Sequence, residues 1–414
     1  MSDIELGRLL FSVVALLVFA LACGRIFDRL SMPHVVGEIV GGLILGPTVL
    51  GYLAPNIFAW VFKAFPNQAA LLSSFYWIGL ILLMFVAGFS VQRELTGADR
   101  KTVIVMLVSS IVFPMLGGWH LTALIDGARM MNANANPISF HLVLAIGAAV
   151  TSIPFISRIF IDLGLMNTRF AKVVLMTATL QDLLLWIALA VATAANTSKV
   201  IDASHFGAVL ATTFAFLGFS IIFGPSLLRW FGRRLPIKRD QSAYVGYALV
   251  ICFALTAAAS LLGVNVVFGA LVAGIIIGSL PTLGSVKQRI SDVALWFFVP
   301  LYFAMVGVKL DLVRQFDLEM TLVFILASSA LKMASVAIAL RLTGTDAKTS
   351  LNYGVTMNTR GGPGIVLATI AFEFGVITES FFVTLVLASI VTALCTGAWL
   401  RLMLRMGQKF SVPA

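Results

Sequence analysis

Charge is what this chain has least of. Asp, Glu, Lys and Arg make up 11% of its 414 residues, against roughly 25% in a soluble domain. Hydrophobic residues make up 60% and the mean hydropathy is +1.03. A soluble fold would leave that apolar surface uncovered, so the composition defines an all-α polytopic membrane protein. Cysteine is nearly absent. Cys23, Cys252 and Cys395 lie singly in apolar runs with no CxxC pair, which excludes a disulfide framework and a thiolate metal centre. They read as small buried residues. The four histidines have no ligand spacing. No His/Cys cluster, nucleophile elbow or phosphate loop stands in a suitable context, so neither an enzyme nor a bound cofactor is expected. No polar stretch is long enough for a soluble domain, and no regulatory domain is expected after the last apolar run.

What is present is a series of apolar runs. A spanning helix needs about 20 mainly apolar residues, and about thirteen candidates occur, at approximately 5–25, 34–51, 71–91, 102–124, 139–163, 170–195, 206–230, 242–262, 264–280, 293–310, 318–342, 350–374 and 380–403. The first run ends at Cys23, but Ala20, Leu21 and Ala22 are a poor order for a lipoprotein cleavage site, and the run is read as a retained span. With the N-terminus outside, twenty of the 28 Lys and Arg fall in inside loops and six outside; the remaining two, Lys332 and Arg360, lie within spans. This bias predicts an N-out, C-in topology. It also accounts for most of the formal net charge of +10 with no nucleic-acid partner.

Two spans are poor continuous helices. The fifth contains AAVTSIPFISR, with Thr151, Ser152 and Pro154 near its middle; the twelfth contains GVTMNTRGGPGIVLA, with Asn358, Arg360, Gly361, Gly362 and Pro363. Proline removes a backbone donor and clashes with the preceding turn. Interrupted backbone at membrane depth persists only where protein or a water-filled cavity satisfies it. The two spans are seven apart and so enter the membrane in opposite directions. Paired, inverted breaks predict an inverted-repeat secondary transporter with its site at the breaks.

Asp182 lies centrally in the sixth span, in TLQDLLLW. A lone carboxylate there costs a few kcal/mol on insertion scales, and burial disfavours its charged form. Taking up a proton, pairing with a cation, or facing water each relieves that cost, and a transporter uses them in turn. Gln181, Thr151 and Ser152 supply further oxygens, and such a donor set suits a hard monovalent cation. Lys332, central in the eleventh span, reads either as the counter-charge to Asp182 or, with Arg360, as neutralising the ends of the broken helices. Glu38 reads either as a solvated helix-start acid or as part of a cytoplasmic cation funnel. Arg158 and Asp162, four apart, are expected to form a helix-end ion pair.

Taken in order, VVGEIVGGLILGPTVLG, LLMFVAGFSVQREL, TSIPFISRIFIDLGLMNTRFAKVVLMTATLQD, FGALVAGIIIG, FFVPLYFAMVGVKLDL and MNTRGGPGIVLA resemble the monovalent cation:proton antiporter-2 family over nearly the whole chain. The resemblance implies a sodium/proton antiporter-like fold of inverted repeats with two crossed broken helices. It implies a homodimer in a bacterial inner membrane. Spans 1–3 and 8–10 (about 1–91 and 242–310) would form the dimer side, spans 4–6 and 11–13 (about 102–195 and 318–405) the core, and 206–230 a linker helix. The family's ion-binding carboxylate maps to Asp182 and its core lysine to Lys332. Gln181 stands where many members carry a second acid, and this Gln-Asp pair is similar to the membrane domain of glutathione-gated potassium efflux antiporters. The Gly-Gly-Pro-Gly run after Arg360 departs from the usual pattern.

The expected function is therefore exchange of Na⁺ or K⁺ for protons across a lipid bilayer by alternating access, electroneutral because one carboxylate titrates. Two other readings use the same features: a cation channel on this scaffold, and an ion-coupled carrier of a small organic anion held by Arg360 and helix N-termini.

Overall fold

The computed structural model describes residues 2–30, 32–89, 100–166, 168–197, 241–264, 266–279, 284–408 and 410, with short pieces between 211 and 226. The main helices are α1 (Asp3–Arg29), α2 (His34–Leu45), α3 (Gln68–Phe89), α4 (Arg100–Trp119), α5 (Pro137–Ala149), α6 (Ile153–Asp162), α7 (Arg169–Thr197), α8 (Gln241–Leu261), α9 (Val266–Gly278), α10 (Gly284–Val293), α11 (Val299–Lys309), α12 (Leu318–Leu342), α13 (Ala347–Met357), α14 (Gly361–Glu373) and α15 (Glu379–Arg405). A π-helical turn, Ala294–Phe298, joins α10 to α11.

Among the described residues nine helices are long and apolar enough to cross a membrane, and α5 and α9 are shorter apolar helices. The expected thirteen spans divide differently in the structure. The fifth and twelfth are each two helices, the ninth is short, and the expected linker 206–230 lies largely outside the described residues. The tenth begins earlier than its hydropathy suggests. Its first turns, GSVKQRISDV, are amphipathic rather than apolar, and a hydropathy window passes over such a segment.

Helix starts follow local chemistry. Asn136 caps α5 by accepting the Ile138 N–H, with Pro137 in the first turn. The side chains of Asp317, Asp346 and Thr378 likewise accept from Met320, Thr349 and Phe381 at the starts of α12, α13 and α15.

The chain divides into two compact units. Unit 1 comprises 1–25, 37–93 and 200–310. Its helices meet backbone to backbone at glycines. A Cβ placed on Gly42 of α2 would lie 1.8 Å from the Ala304 carbonyl oxygen of α11, and one on Gly307 of α11 would lie 2.1 Å from the Ile39 oxygen. Gly88 of α3 and Gly274 of α9 form a similar seam, 2.5 Å from the Leu271 oxygen and 2.1 Å from the Phe85 oxygen. Small residues that admit such approach are the usual means of helix packing in lipid. Glu38 lies in this unit and is 3% exposed, which corrects the reading of it as a solvated helix-start acid. Cys252 is buried, but Cys395, on α15 of the other unit, is exposed, correcting the expectation that all three cysteines are interior.

Unit 2 comprises 26–36, 94–199 and 311–414. It contains both broken pairs, α5–α6 and α13–α14. One end of this unit is tied by a short strap. Met131 and Ile377 form an antiparallel bridge, Thr378 N–H donates to the Met130 carbonyl at 2.9 Å, and Arg129 pairs with Asp317 and, at 3.0 Å, with Glu319. The Met320 N–H and the Arg129 guanidinium hold the Asp317 carboxyl below the usual carboxylate range. The side chains of Arg158 and Asp162, expected as an ion pair, lie outside the described residues.

Candidate ion-binding site at two broken helices

Both breaks are placed by proline. In a continuous helix Pro154 would clash with the Val150 carbonyl, and Pro363 with that of Thr359. The chain leaves the helix at those positions. Val150 adopts extended backbone (φ −60°, ψ 143°), and residues 358–360 separate α13 from α14. Each proline then stands in the first turn of the restarted helix, where its missing N–H costs nothing; only the side chain of Pro154 is outside the described residues. The Gly-rich run after Arg360 serves the same restart. Gly361 has φ +45°, and a Cβ there would lie 2.6 Å from both Phe155 Cγ and Ser152 Oγ. A Cβ on Gly364 would lie 2.4 Å from Ser389 Oγ of α15, whereas one on Gly362 would meet only Phe155 Cε2 at 3.9 Å.

The two breaks touch. Ser152 N–H donates to the Thr359 carbonyl at 2.6 Å, and Thr151 Oγ1 donates to the Met357 carbonyl at 2.7 Å. The end of α5 leaves the Ala149 carbonyl without a helical partner. Gln181 Nε2 and Lys332 Nζ both donate to it. Lys332 Nζ also donates to the Ser110 carbonyl at 3.0 Å. That carbonyl is an orphan for a separate reason: its partner in α4 would be the N–H of residue 114, which is proline. One ammonium thus meets two orphan carbonyls, one at the end of α5 and one opposite Pro114. The Gln181 carbonyl oxygen accepts from Ser110 Oγ at 3.0 Å and Thr151 Oγ1 at 3.3 Å. Ser110, Thr151, Ser152, Gln181 and Lys332 are all 0% exposed.

The ammonium of Lys332 therefore meets backbone carbonyls at the break. Among the described residues no direct ion pair joins Lys332 to Asp182. Arg360 serves the second break in its own way. Its backbone N–H donates to Thr392 Oγ1 at 3.2 Å, its Nη2 to Ser328 Oγ at 2.7 Å, and its guanidinium carbon lies 5.4 Å from the Phe324 ring centroid. Thr359 Oγ1 links the break to α15 through Thr396 Oγ1 at 2.9 Å. Asn358, 6% exposed, lies beside them. Ser110, Pro114, Ser328 and Thr392 escape a reading of the sequence. Of these only Pro114, a proline inside an apolar run, carries a signal, and its consequence depends on where Lys332 lies in space.

Asp182 is placed differently from its neighbour. Gln181 points into the break, while Asp182 is partly exposed and opens on a cleft. The cleft walls are Ile146, Leu185, Leu189 and Leu367, the Trp186 indole and the Pro363 ring. Among the described residues Asp182 is the one ionisable side chain in the lining, and Arg360 is not part of it. Among the described residues no side-chain hydrogen bond is made to the Asp182 carboxylate. Thr151, Ser152 and Gln181, expected as cation ligands beside it, are instead engaged in bracing the breaks in this conformation.

A helical membrane protein with two touching broken helices and a carboxylate beside them has the build of a secondary transporter. The comparisons place it more narrowly. The model of the transmembrane sodium/hydrogen exchanger family matches residues 13–406, and the chain belongs to that family. It is 28% identical over 400 residues to the Na⁺/H⁺-K⁺ antiporter GerN of Bacillus cereus, covering 94% of this chain and 95% of that one. It is 26% identical over 396 residues to the Na⁺/H⁺ antiporter NhaS4 of Synechocystis, with 94% and 95% covered. Among solved structures, the sodium/proton antiporter MjNhaP1 of Methanocaldococcus jannaschii matches with a TM-score of 0.62 and 16% identity, over 96% of this chain and 98% of that one. These relatives are transporters rather than enzymes.

Proposed function

We propose that this protein exchanges Na⁺ or K⁺ for protons across the membrane, with Asp182 binding either the cation or the proton. The observation that carries this reading is the isolation of that carboxylate. Among the described residues it is the one ionisable group that lines its cleft, it lies next to two touching breaks, the nearby Lys332 ammonium is engaged with backbone oxygens, and Arg360 gives one nitrogen to the Ser328 hydroxyl. A group so placed is neutralised by a proton or by a metal cation in alternation. The names of the family and of its relatives support the same exchange. Because Gln181 is neutral and committed to the Ala149 carbonyl, one charge is carried each way and exchange is electroneutral. Unit 2 acts as the moving core and unit 1 as the dimer side of a homodimer in a bacterial inner membrane, with the N-terminus outside. Arg360 donates through Nη2 to Ser328 Oγ, while its Nε and Nη1 are buried without a hydrogen-bond partner among the described residues, so the anion-carrier reading stays as the alternative.

The test is dissipation of a pH gradient in proteoliposomes, with Na⁺, K⁺ and Li⁺ added separately. Cation-dependent proton movement that does not change when a membrane potential is imposed is the expected result. Strong dependence on the potential contradicts electroneutral exchange. Discrete unitary currents in planar bilayers would favour the channel instead.

A further inference from the structure

Three stretches of unit 2 share one length. Asn136 and Val150 bracket α5 and are fourteen residues apart, Arg360 and Phe374 bracket α14 at the same spacing, and Asp182 and Asn196, both on α7, are again fourteen apart. At about 1.5 Å per residue each stretch measures about 21 Å. One end of each stretch lies at the breaks. Val150, Pro363 and Asp182 line the same cleft there, so the carboxylate stands level with both restarts. At the other end the three stretches meet at one side chain. Asn196 Oδ1 accepts the Asn136 N–H at 2.9 Å, and Asn196 Nδ2 donates to the Phe374 carbonyl at 2.7 Å. Both backbone groups belong to helix ends and have no partner within their own helix. A primary amide carries the acceptor that the start of α5 lacks and the donor that the end of α14 lacks. Neighbouring bonds fix the same end. Ser139 Oγ, in the first turn of α5, donates to the Ala192 carbonyl of α7 at 2.6 Å, and Asn132 N–H donates to the Val376 carbonyl at 3.2 Å. Of these contacts, those of Asn196 alone join α5, α7 and α14.

We infer that Asn196 is a positioning residue that sets the level of α7, and with it Asp182, against the two breaks. An α-helix has a fixed rise per residue, so holding α7 at Asn196 holds it fourteen residues away as well. The equal stretches on α5 and α14 keep the carboxylate opposite the restarted backbone. Asn196 acts on the ion through this spacing and not by contact, and the gain is a site already aligned before the cation arrives. This rests on the reading of Asp182 as the shared cation and proton site and adds what holds it in place.

The test is the dependence of exchange on Na⁺ and K⁺ concentration in proteoliposomes, with thermal melting in detergent beside it. Asn196→Ala removes both bonds. It is expected to raise the half-saturating concentration of either cation about fivefold, the factor that one ordinary hydrogen bond is worth, with the maximal rate within about twofold of wild type. Asn196→Asp still accepts from the Asn136 N–H but has no donor for the Phe374 carbonyl at neutral pH. A new carboxylate by itself draws cations and lowers the half-saturating concentration, so a rise of about twofold reports the lost bond to α14. This milder variant carries the test should Asn196→Ala not fold. An unchanged half-saturating concentration in either folded variant overturns the inference, whatever becomes of the maximal rate or the melting midpoint. It would make Asn196 a stabilising residue only and leave the proposed function standing. Exchange that survives in Asp182→Asn overturns the reading beneath it instead.

Discussion

Units 1 and 2 pack helices in lipid with a different emphasis: glycine contacts occur in both, as at Gly354 and Gly118 of unit 2, but buried polar side chains concentrate in one. Unit 1 brings backbone against backbone, with glycines such as Gly42 and Gly307 admitting carbonyls of the neighbouring helix. Unit 2 brings side-chain polar atoms against interrupted backbone. Among the described residues, five buried polar or charged side chains fall in unit 1 and twenty-three in unit 2. The difference follows from continuity. An unbroken helix satisfies its own N–H and C=O groups, so its neighbours need only fit. A broken helix leaves orphan groups in a medium without water, and each must be met by a side chain. The ammonium of Lys332 and the amide of Gln181 are in unit 2 because carbonyls there need donors. Asp182 differs from both, since among the described residues its carboxylate makes no side-chain hydrogen bond, as the proposed ion site requires.

Removing a donor from unit 2 should do the most damage. Lys332→Met leaves the Ser110 carbonyl without its side-chain donor and the Ala149 carbonyl with Gln181 alone, at a cost of about 3 kcal/mol. Thermal unfolding in detergent would register a large drop in midpoint, accompanied by loss of exchange. A midpoint close to wild type would mean that the breaks do not depend on side-chain donors. The matching insult to unit 1 is Gly42→Ala, whose methyl meets the Ala304 backbone and should cost about 2 kcal/mol by overpacking. A neutral result in the same melt would remove the backbone seam from the comparison.

The two glycines that restart α14 sharpen the contrast within unit 2. Gly361→Ala faces a left-handed backbone and the Phe155 ring, and should cost about 1 to 2 kcal/mol. Gly362→Ala has space and ordinary backbone, and should stay within about 0.5 kcal/mol of wild type. Equal effects would show that the run matters for composition and not for the geometry of Gly361.

A small, pH-dependent effect is expected at the strap. The Asp317 carboxyl is held below its usual range, so its stabilisation is present above the unfolded-state pKa of about 3.9 and is lost as pH falls through the lower folded value. Asp317→Asn should melt slightly below wild type at pH 7, by less than about 1 kcal/mol, and the gap should close below about pH 4. A gap that persists in acid would assign the loss to something other than the carboxylate.

Much of this arrangement is legible in the sequence. Pro154 and Pro363 mark both breaks, and Asp182, Lys332 and Arg360 stand out as charges inside apolar runs. The partners of those charges are not legible, for a definite reason. Whether Lys332 meets Asp182 or a carbonyl depends on Pro114 freeing the Ser110 oxygen and on α4, α5 and α12 converging, which is tertiary information. The same holds for Gln181 and Asp182, adjacent in sequence but turned to different surroundings. Burial also escapes composition: Glu38 at a helix start is enclosed, and Cys395 in an apolar run is exposed.

The central claim is that Asp182 is the single shared site for cation and proton. Asp182→Asn keeps the shape and removes the charge, and the direct measurement is cation-driven dissipation of a pH gradient in proteoliposomes bearing this variant. The account predicts no proton movement with Na⁺ or K⁺ from a protein that still melts cooperatively. Exchange retained in Asp182→Asn at a rate near wild type would contradict it.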